Sequence, residues 1–326
     1  MHRVIFSRII NAVAILLITS LSSFVLMHLA PGDPVAMYLS YDMSDAEPEA
    51  VERVREAMGL NRPLAVQYVL WLSRAVRGDL GYSLTTRRPV TTVILEVLPN
   101  SLLLMATSLA LAVTIGIGLG IVTAVKQRSL LDYVVTAVVF IGYSVPSFYL
   151  ALFLLYLLSF QLKLFPSGGM WSLRPTGDSP AVDLLRHLAM PVMSSTLVQL
   201  VVWVRFQRNS LLEVLHQDYL RTARAKGLSE WIVLFRHAWR NSLIPIVTQF
   251  GLSFSHLIGG SFIIETIFAW PGMGRLGIES IRFRDYPVSM GILLLSSVMI
   301  LLGNLLADIS YSLLDPRVSL EGKVPK

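Results

Sequence analysis

The sequence predicts an all-α polytopic membrane protein with six transmembrane helices and a small external domain between the first two. Three observations carry that class. Of 326 residues, 54% are hydrophobic and only 15% charged, at a mean hydropathy of +0.63, whereas an average soluble domain is about 25% charged. The apolar excess sits in long uncharged runs, the mark of segments that cross a bilayer. Lys and Arg outnumber Asp and Glu in the segments assigned to one side of the membrane and not in those on the other. A soluble enzyme is thereby excluded. The formal net charge of +6 belongs to cytoplasmic loops, so no nucleic-acid partner is expected. With no cysteine, the chain has no disulfide, thiolate metal site or thiol nucleophile.

A helix rising 1.5 Å per residue needs about 20 apolar residues to cross roughly 30 Å of hydrocarbon. Residues 9–29 are the first such run. They exceed the usual apolar core of a cleaved signal and lack an A-x-A site, which reads as a retained signal anchor. Residues 101–125 carry no charge. Gly116 and Gly120 within them have the small-xxx-small spacing that lets two helices approach closely, which is favoured over simple lipid-facing flexibility. Residues 132–160 are longer than one crossing requires and contain Pro146, which predicts one kinked span. Residues 243–264 and 288–307 complete the clear runs.

The sixth run, 188–204, is short and polar, with Pro191, Ser194, Ser195, Thr196 and Gln199. Charge decides it. If it did not cross, Arg205, Arg208, Arg221, Arg224, Lys226, Arg236 and Arg240 would lie outside the cell, against the positive-inside rule. Six spans follow, with both termini cytoplasmic. The chain then divides into 1–30 (N-terminus and first helix), an extracytoplasmic domain 31–98, a permeation core 99–311 and a cytoplasmic tail 312–326.

Two segments lie outside the lipid. In 31–98, Leu60, Leu64, Tyr68 and Leu72 recur at helical spacing between turn-forming glycines, which predicts a folded cap. It is either a lid on the bundle or a docking surface. The cytoplasmic loop 205–242 predicts a short helix, Tyr219 to Lys226, with Asp218 as N-cap and Gly227 as the C′ residue. A second amphipathic stretch, 230–240, follows. Such a pair either presses on a partner or lies on anionic lipid headgroups.

Several chemistries are missing. There is no G-x-x-x-x-G-K-[ST], so the chain is not expected to bind ATP through a P-loop. There is no H-E-x-x-H and no G-x-S-x-G, and the six histidines form no i, i+4 pair. Few ionisable residues fall within the spans, which counts against a proton- or sodium-coupled carrier. A conduit powered from elsewhere fits better; an ion channel, a secondary carrier and a membrane enzyme remain as rivals.

The stretch Asp218-Tyr219-Leu220-Arg221-Thr222-Ala223-Arg224-Ala225-Lys226-Gly227 resembles the EAA-type coupling loop of ABC-importer permeases. It is most similar to the form in the oligopeptide/dipeptide/nickel branch. Arg221 and Thr222 stand where the general motif has Glu and Ala, while Ala223 and Gly227 keep their spacing. Ile244-Pro245 comes later than in the general pattern, a departure this branch shares. Pro31-Gly32-Asp33-Pro34, Gly59-Leu60, Arg62-Pro63-Leu64, Gln67-Tyr68, Trp71-Leu72 and Gly78-Asp79-Leu80-Gly81 follow the branch in order. So do Gly259-Gly260, Glu265, Ile267-Phe268, Trp270-Pro271-Gly272, Gly274 and Arg284-Asp285-Tyr286-Pro287.

The resemblance implies the ABC type I importer permease fold and a non-catalytic permease subunit of the B type in a bacterial or archaeal inner membrane. It would pair with a homologous C-type permease, two ABC ATPase subunits and an extracytoplasmic substrate-binding protein. No cofactor is implied in this chain, since ATP and Mg²⁺ would bind the ATPases. Peptides are the first choice of cargo; nickel, a metal chelate or another small solute is the second.

Candidate residues follow. Asp218, Tyr219, Arg221, Thr222, Ala223, Arg224, Lys226 and Gly227 are assigned to ATPase coupling. Ser144, Pro146, Ser147, Gln199, Asn209 and Ser255 are assigned to a pathway, because polar groups at membrane depth tend to face protein or a wet cavity. Helix–helix hydrogen bonding is the competing role for each. Glu265, Trp270 and Pro271 are assigned to an external gate region, 265–286, with Glu265 just beyond the fifth span and Trp270 as an interfacial aromatic; a purely structural turn at Pro271-Gly272 is the competing role.

Overall fold

Why each apolar run becomes a helix is visible at its ends. The computed structural model describes residues 2–29, 35, 48–57, 59–174, 177–256 and 262–314. In chain order the helices are α1 (His2–Leu29), α2 (Pro48–Ala57), α3 (Leu64–Ala75), α4 (Val90–Val125), α5 (Leu130–Ser144) and α6 (Ser147–Leu154). After them come α7 (Pro180–Leu215), α8 (Asp218–Ala225), α9 (Glu230–Ile232), α10 (Arg240–His256), α11 (Phe262–Ile267), α12 (Met273–Arg282) and α13 (Tyr286–Leu314). Two π-helical stretches, Leu155–Gln161 and Val233–Trp239, continue α6 and join α9 to α10. Among the described residues there is no strand; Tyr82 and Pro89 form an isolated antiparallel bridge.

By length and composition, four described helices can cross a membrane, namely α1, α4, α7 and α13; the bent pair from Leu130 to Gln161 makes five if it is one span. The expected run 243–264 passes through 257–261, outside the described residues. Pro31-Gly32-Asp33-Pro34 and Gly259-Gly260 also lie outside the described residues.

The short polar run is explained by burial. It is the middle of α7, which starts on Ser179, whose hydroxyl accepts from Val182 N–H, followed by Pro180 in the first turn and Asp183 near the N-terminus. The apolar window of α7 is 61% buried, against 17% for that of α1. Its polar side chains therefore face protein. Ser194 donates to Met190 O at 2.9 Å and Thr196 to Ser108 O at 3.3 Å.

The expected single kinked span over 132–160 is instead broken. Val145 is extended (φ −84°, ψ 126°) and Pro146 (φ −56°, ψ 138°) precedes α6 as its N-cap, turning the chain by 102°. Proline lacks the N–H that would continue α5, and it drives the preceding residue out of the helical region. Within 205–242, α7 runs on to Leu215 before the short helix begins.

The chain forms two compact units, one of residues 1–99 with 275–299, the other of 100–274 with 300–326. In the first, α3 lies on α1. Tyr68 and Trp71 meet Phe24 at ring distances of 5.4 and 6.3 Å, and Tyr68 Oη is 2.9 Å from Ser20 Oγ. The helical spacing of Tyr68 thus serves packing. In the same unit the buried Asp285 accepts from Ser83 Oγ, Thr85 Oγ1 (2.7 Å), Leu84 N (3.1 Å) and Thr85 N (3.2 Å). That carboxylate fastens the 82–89 turn to the start of α13.

In the second unit α4 and α7 approach closely at the paired glycines. A Cβ on Gly116 would lie 2.3 Å from Trp203 Cβ, and one on Gly120 would lie 2.6 Å from Gln207 Cβ. The small-xxx-small spacing therefore serves helix approach. Gln207 is fully buried and donates to Ser242 Oγ at 3.0 Å, while Ser210 Oγ donates to Ser242 O at 2.9 Å, tying α7 to α10.

Candidate functional site: a short basic helix seated on the bundle

After α7 the chain turns at His216 (φ −92°, ψ 1°) and enters α8 through the extended Gln217 (φ −76°, ψ 144°). Gln217, not Asp218, is the N-cap, and its side chain makes no capping bond. Asp218 is the first helical residue, where its charge complements the helix dipole. The helix is Asp218–Ala225 rather than Tyr219 to Lys226, with Lys226 as C-cap.

The end of α8 is a Schellman motif. Gly227 N donates to Arg224 O at 2.9 Å and Leu228 N to Ala223 O at 3.4 Å. Gly227 has φ +80°, the conformation expected of a C′ glycine. Nothing lies within 4 Å of a Cβ built there, so backbone conformation alone selects glycine.

One face of α8 is packed and the other is free. Leu220 and Ala223 are buried with Ala124 of α4, Leu211 of α7, and Val233 and Ala238 of the π-helical stretch. Ala223 thus packs inward. Tyr219, Arg221, Thr222, Arg224 and Lys226 are exposed. Arg221 lies 3.5 Å from Asp218, and Arg224 donates to Glu230 at 2.8 and 3.4 Å. Pairs this exposed contribute little to stability and leave both arginines at the surface. Asn241 donates to Tyr219 Oη at 2.8 Å. Thr222 bonds back to Asp218 O at 3.2 Å.

Just before this helix, Arg208 of α7 grips Asp132 of α5. Nε donates to Oδ1 at 3.0 Å and a terminal guanidinium nitrogen to Oδ2 at 2.9 Å. Asp132 is 3% exposed. Neither residue was singled out by motif or spacing.

Among the described residues, no hydrogen bond joins one pathway candidate to another. Ser144 is exposed and donates to Phe140 O at 2.9 Å. Pro146 and Ser147 open α6 at the break. Gln199 is half-buried and reaches Ser195 O at 3.3 Å. Asn209 lines a groove of about 400 Å³ with Tyr143, Arg205, Phe206, Glu213 and Pro245. Ser255 is on α10, and its side chain lies outside those described.

The gate candidates form a tight knot. Glu265 and Trp270 are fully buried, so Trp270 is not an interfacial aromatic; it belongs to a core with Leu104, Met190 and Phe268. Burial is tolerated because its indole N–H donates to Asn100 O at 2.9 Å. Asn100 Nδ2 in turn donates to Pro271 O at 2.8 Å. Ser101 Oγ donates to Glu265 Oε1 at 2.8 Å and accepts from Met273 N at 2.7 Å. A Cβ on Gly272 would sit 2.4 Å from Glu265 Oε2 and 2.5 Å from Ser101 Oγ, so only glycine fits. Asn100 and Ser101 carried no motif signal.

Residues 116–320 match the family described as binding-protein-dependent transport system inner membrane component. Residues 1–105 match its N-terminal membrane-component family. A relative from Brucella suis biovar 1 (strain 1330) is 41% identical, covering 98% of this chain and 100% of its own. The oligopeptide transport system permease protein AppB of Bacillus subtilis (strain 168) is 41% identical, covering 96% of this chain and 98% of its own. A solved chain from inward-facing conformations of the MetNI methionine ABC transporter superposes with a TM-score of 0.50 at 16% identity. It covers 67% of this chain and 96% of that one, which shows a common fold. This chain belongs to the family of binding-protein-dependent transport system inner membrane components.

Proposed function

We propose that the chain is the transmembrane permease subunit of an ATP-driven importer and forms half of a pathway for di- or oligopeptides. The full-length similarity to AppB, an oligopeptide transport permease, supports peptides over nickel, a metal chelate or a coupled carrier. One observation carries the mechanism: α8 presents exposed basic residues on one face and rests its buried face on the ends of α4 and α7. A partner pressing on that helix moves both long helices at once.

In this reading the chain crosses the membrane six times with both termini cytoplasmic, and 31–98 faces the binding protein. A homologous C-type permease supplies the other half of the pathway. Two ABC ATPases hold ATP and Mg²⁺, and this chain catalyses no reaction. Residues 218–227 dock an ATPase, and Asn209 and its groove line the path.

The test is uptake of a labelled peptide by vesicles containing the reconstituted complex. Uptake should need the binding protein, both permeases and ATP. Peptide uptake that persists without ATPases would overturn the reading.

A further inference from the structure

We propose that the Asp132–Arg208 pair is a positioning link that makes the start of α5 follow α7, carrying motion of α8 to the break at Val145 and Pro146. The inference rests on the coupling reading of α8 and adds the route beyond it. Arg208 lies one turn before Leu211, whose side chain shares a core with Leu220 and Ala223 of α8. A displacement of α8 therefore reaches α7 beside Arg208.

From there the pair is built to transmit direction as well as distance. The guanidinium fork holds both carboxylate oxygens, a two-point contact that fixes orientation. Asp132 is buried, and its Oδ2 also accepts Arg128 N–H at 3.0 Å. Arg128 has φ +63° in the tight turn between α4 and α5. The turn, α5 and α7 thus converge on one carboxylate. Beyond it α5 is unbroken to Ser144, a rod of about 20 Å, and then meets the 102° bend. A shift at Asp132 arrives where Ser144, Pro146 and Ser147 stand.

The test uses the whole complex in liposomes, with Asp132→Asn, Arg208→Gln and the exchange Asp132→Arg with Arg208→Asp. Four quantities are read: assembly, basal ATP hydrolysis, its stimulation by peptide-loaded binding protein, and peptide uptake. Each single variant should assemble and hydrolyse ATP at the basal rate while losing stimulation and uptake by about tenfold or more. The exchange should recover both, because the pairing is restored. Full stimulation and uptake in Asp132→Asn would overturn the link. So would single variants that assemble uncoupled and an exchange that recovers nothing. Loss of the assembled complex in singles and exchange alike would assign the pair to folding and also overturn it. Normal ATPase copurification in an inactive Asp132→Asn complex leaves the docking reading intact; that reading is judged separately at Gly227.

Discussion

Replacing Gly227 with alanine separates docking from folding with a single methyl group. Gly227 has φ +80° with nothing within 4 Å of the added Cβ, so the substitution introduces no clash. Its whole cost is the left-handed conformation, roughly 1 kcal/mol for alanine relative to glycine. That is small beside the stability of a folded domain, about 5–15 kcal/mol. At the end of an eight-residue helix it matters, because relaxing the strain breaks the bonds from Gly227 N and Leu228 N. If the ATPase recognises only the native end of α8, 1 kcal/mol weakens association about fivefold. Asparagine tolerates this conformation better than alanine. In detergent-purified complexes with normal insertion, ATPase copurification should therefore fall in the order Gly, Asn, Ala, with peptide uptake falling in parallel. A headgroup-bound helix would show no change in copurification. Normal copurification with normal uptake in Gly227→Ala would refute the coupling role of 218–227.

Gly120→Val places side-chain atoms where Gln207 Cβ already stands within 2.6 Å of a bare Cβ; overpacking of about 1–3 kcal/mol should lower the yield of folded protein in a thermal-stability assay, unlike Gly118→Val, whose Cβ meets nothing. Gly272→Ala should destabilise the Glu265–Ser101 knot, and pairing it with Glu265→Ala should recover part of the loss, read as a shift in melting temperature. For topology, Tyr82→Cys and Ser229→Cys, both exposed, should label from opposite sides with an impermeant thiol reagent; Ser83 is unsuitable because it is buried on Asp285. Labelling from the same side would exclude the six-span arrangement. The absence of native cysteine makes each single label unambiguous.

Local features were legible in the sequence. The Schellman glycine, the apolar and basic faces of α8, and the four-residue spacing of Gly116 and Gly120 are patterns within one or two turns, although the helix those glycines approach, at Trp203 and Gln207, is distant in sequence. Spacing reveals such patterns directly. The proline at 146 was legible as a disruption but not as a 102° turn, because the angle depends on what the two arms pack against. Polarity of the run 188–204 was ambiguous for the same reason. A threonine on a lipid-facing helix and one that reaches across to another helix, as Thr196 does to Ser108 O, are spelled identically.

The charge-bearing contacts were decided only in three dimensions. Asp132 and Arg208 are 76 residues apart, and Trp270 meets Asn100 across 170. No periodicity spans such distances, and a lone Asp or Asn has no pattern to betray its partner. Residue types alone determined that this chain must live in a membrane, because so much apolar surface has nowhere else to go. They also determined that its short basic helix would end on a left-handed glycine, because few other residues adopt that conformation cheaply. Which helices close on one another, and which buried carboxylate each hydroxyl or guanidinium reaches, was decided by tertiary packing, since burial converts each polar group into a demand that only a particular distant partner meets.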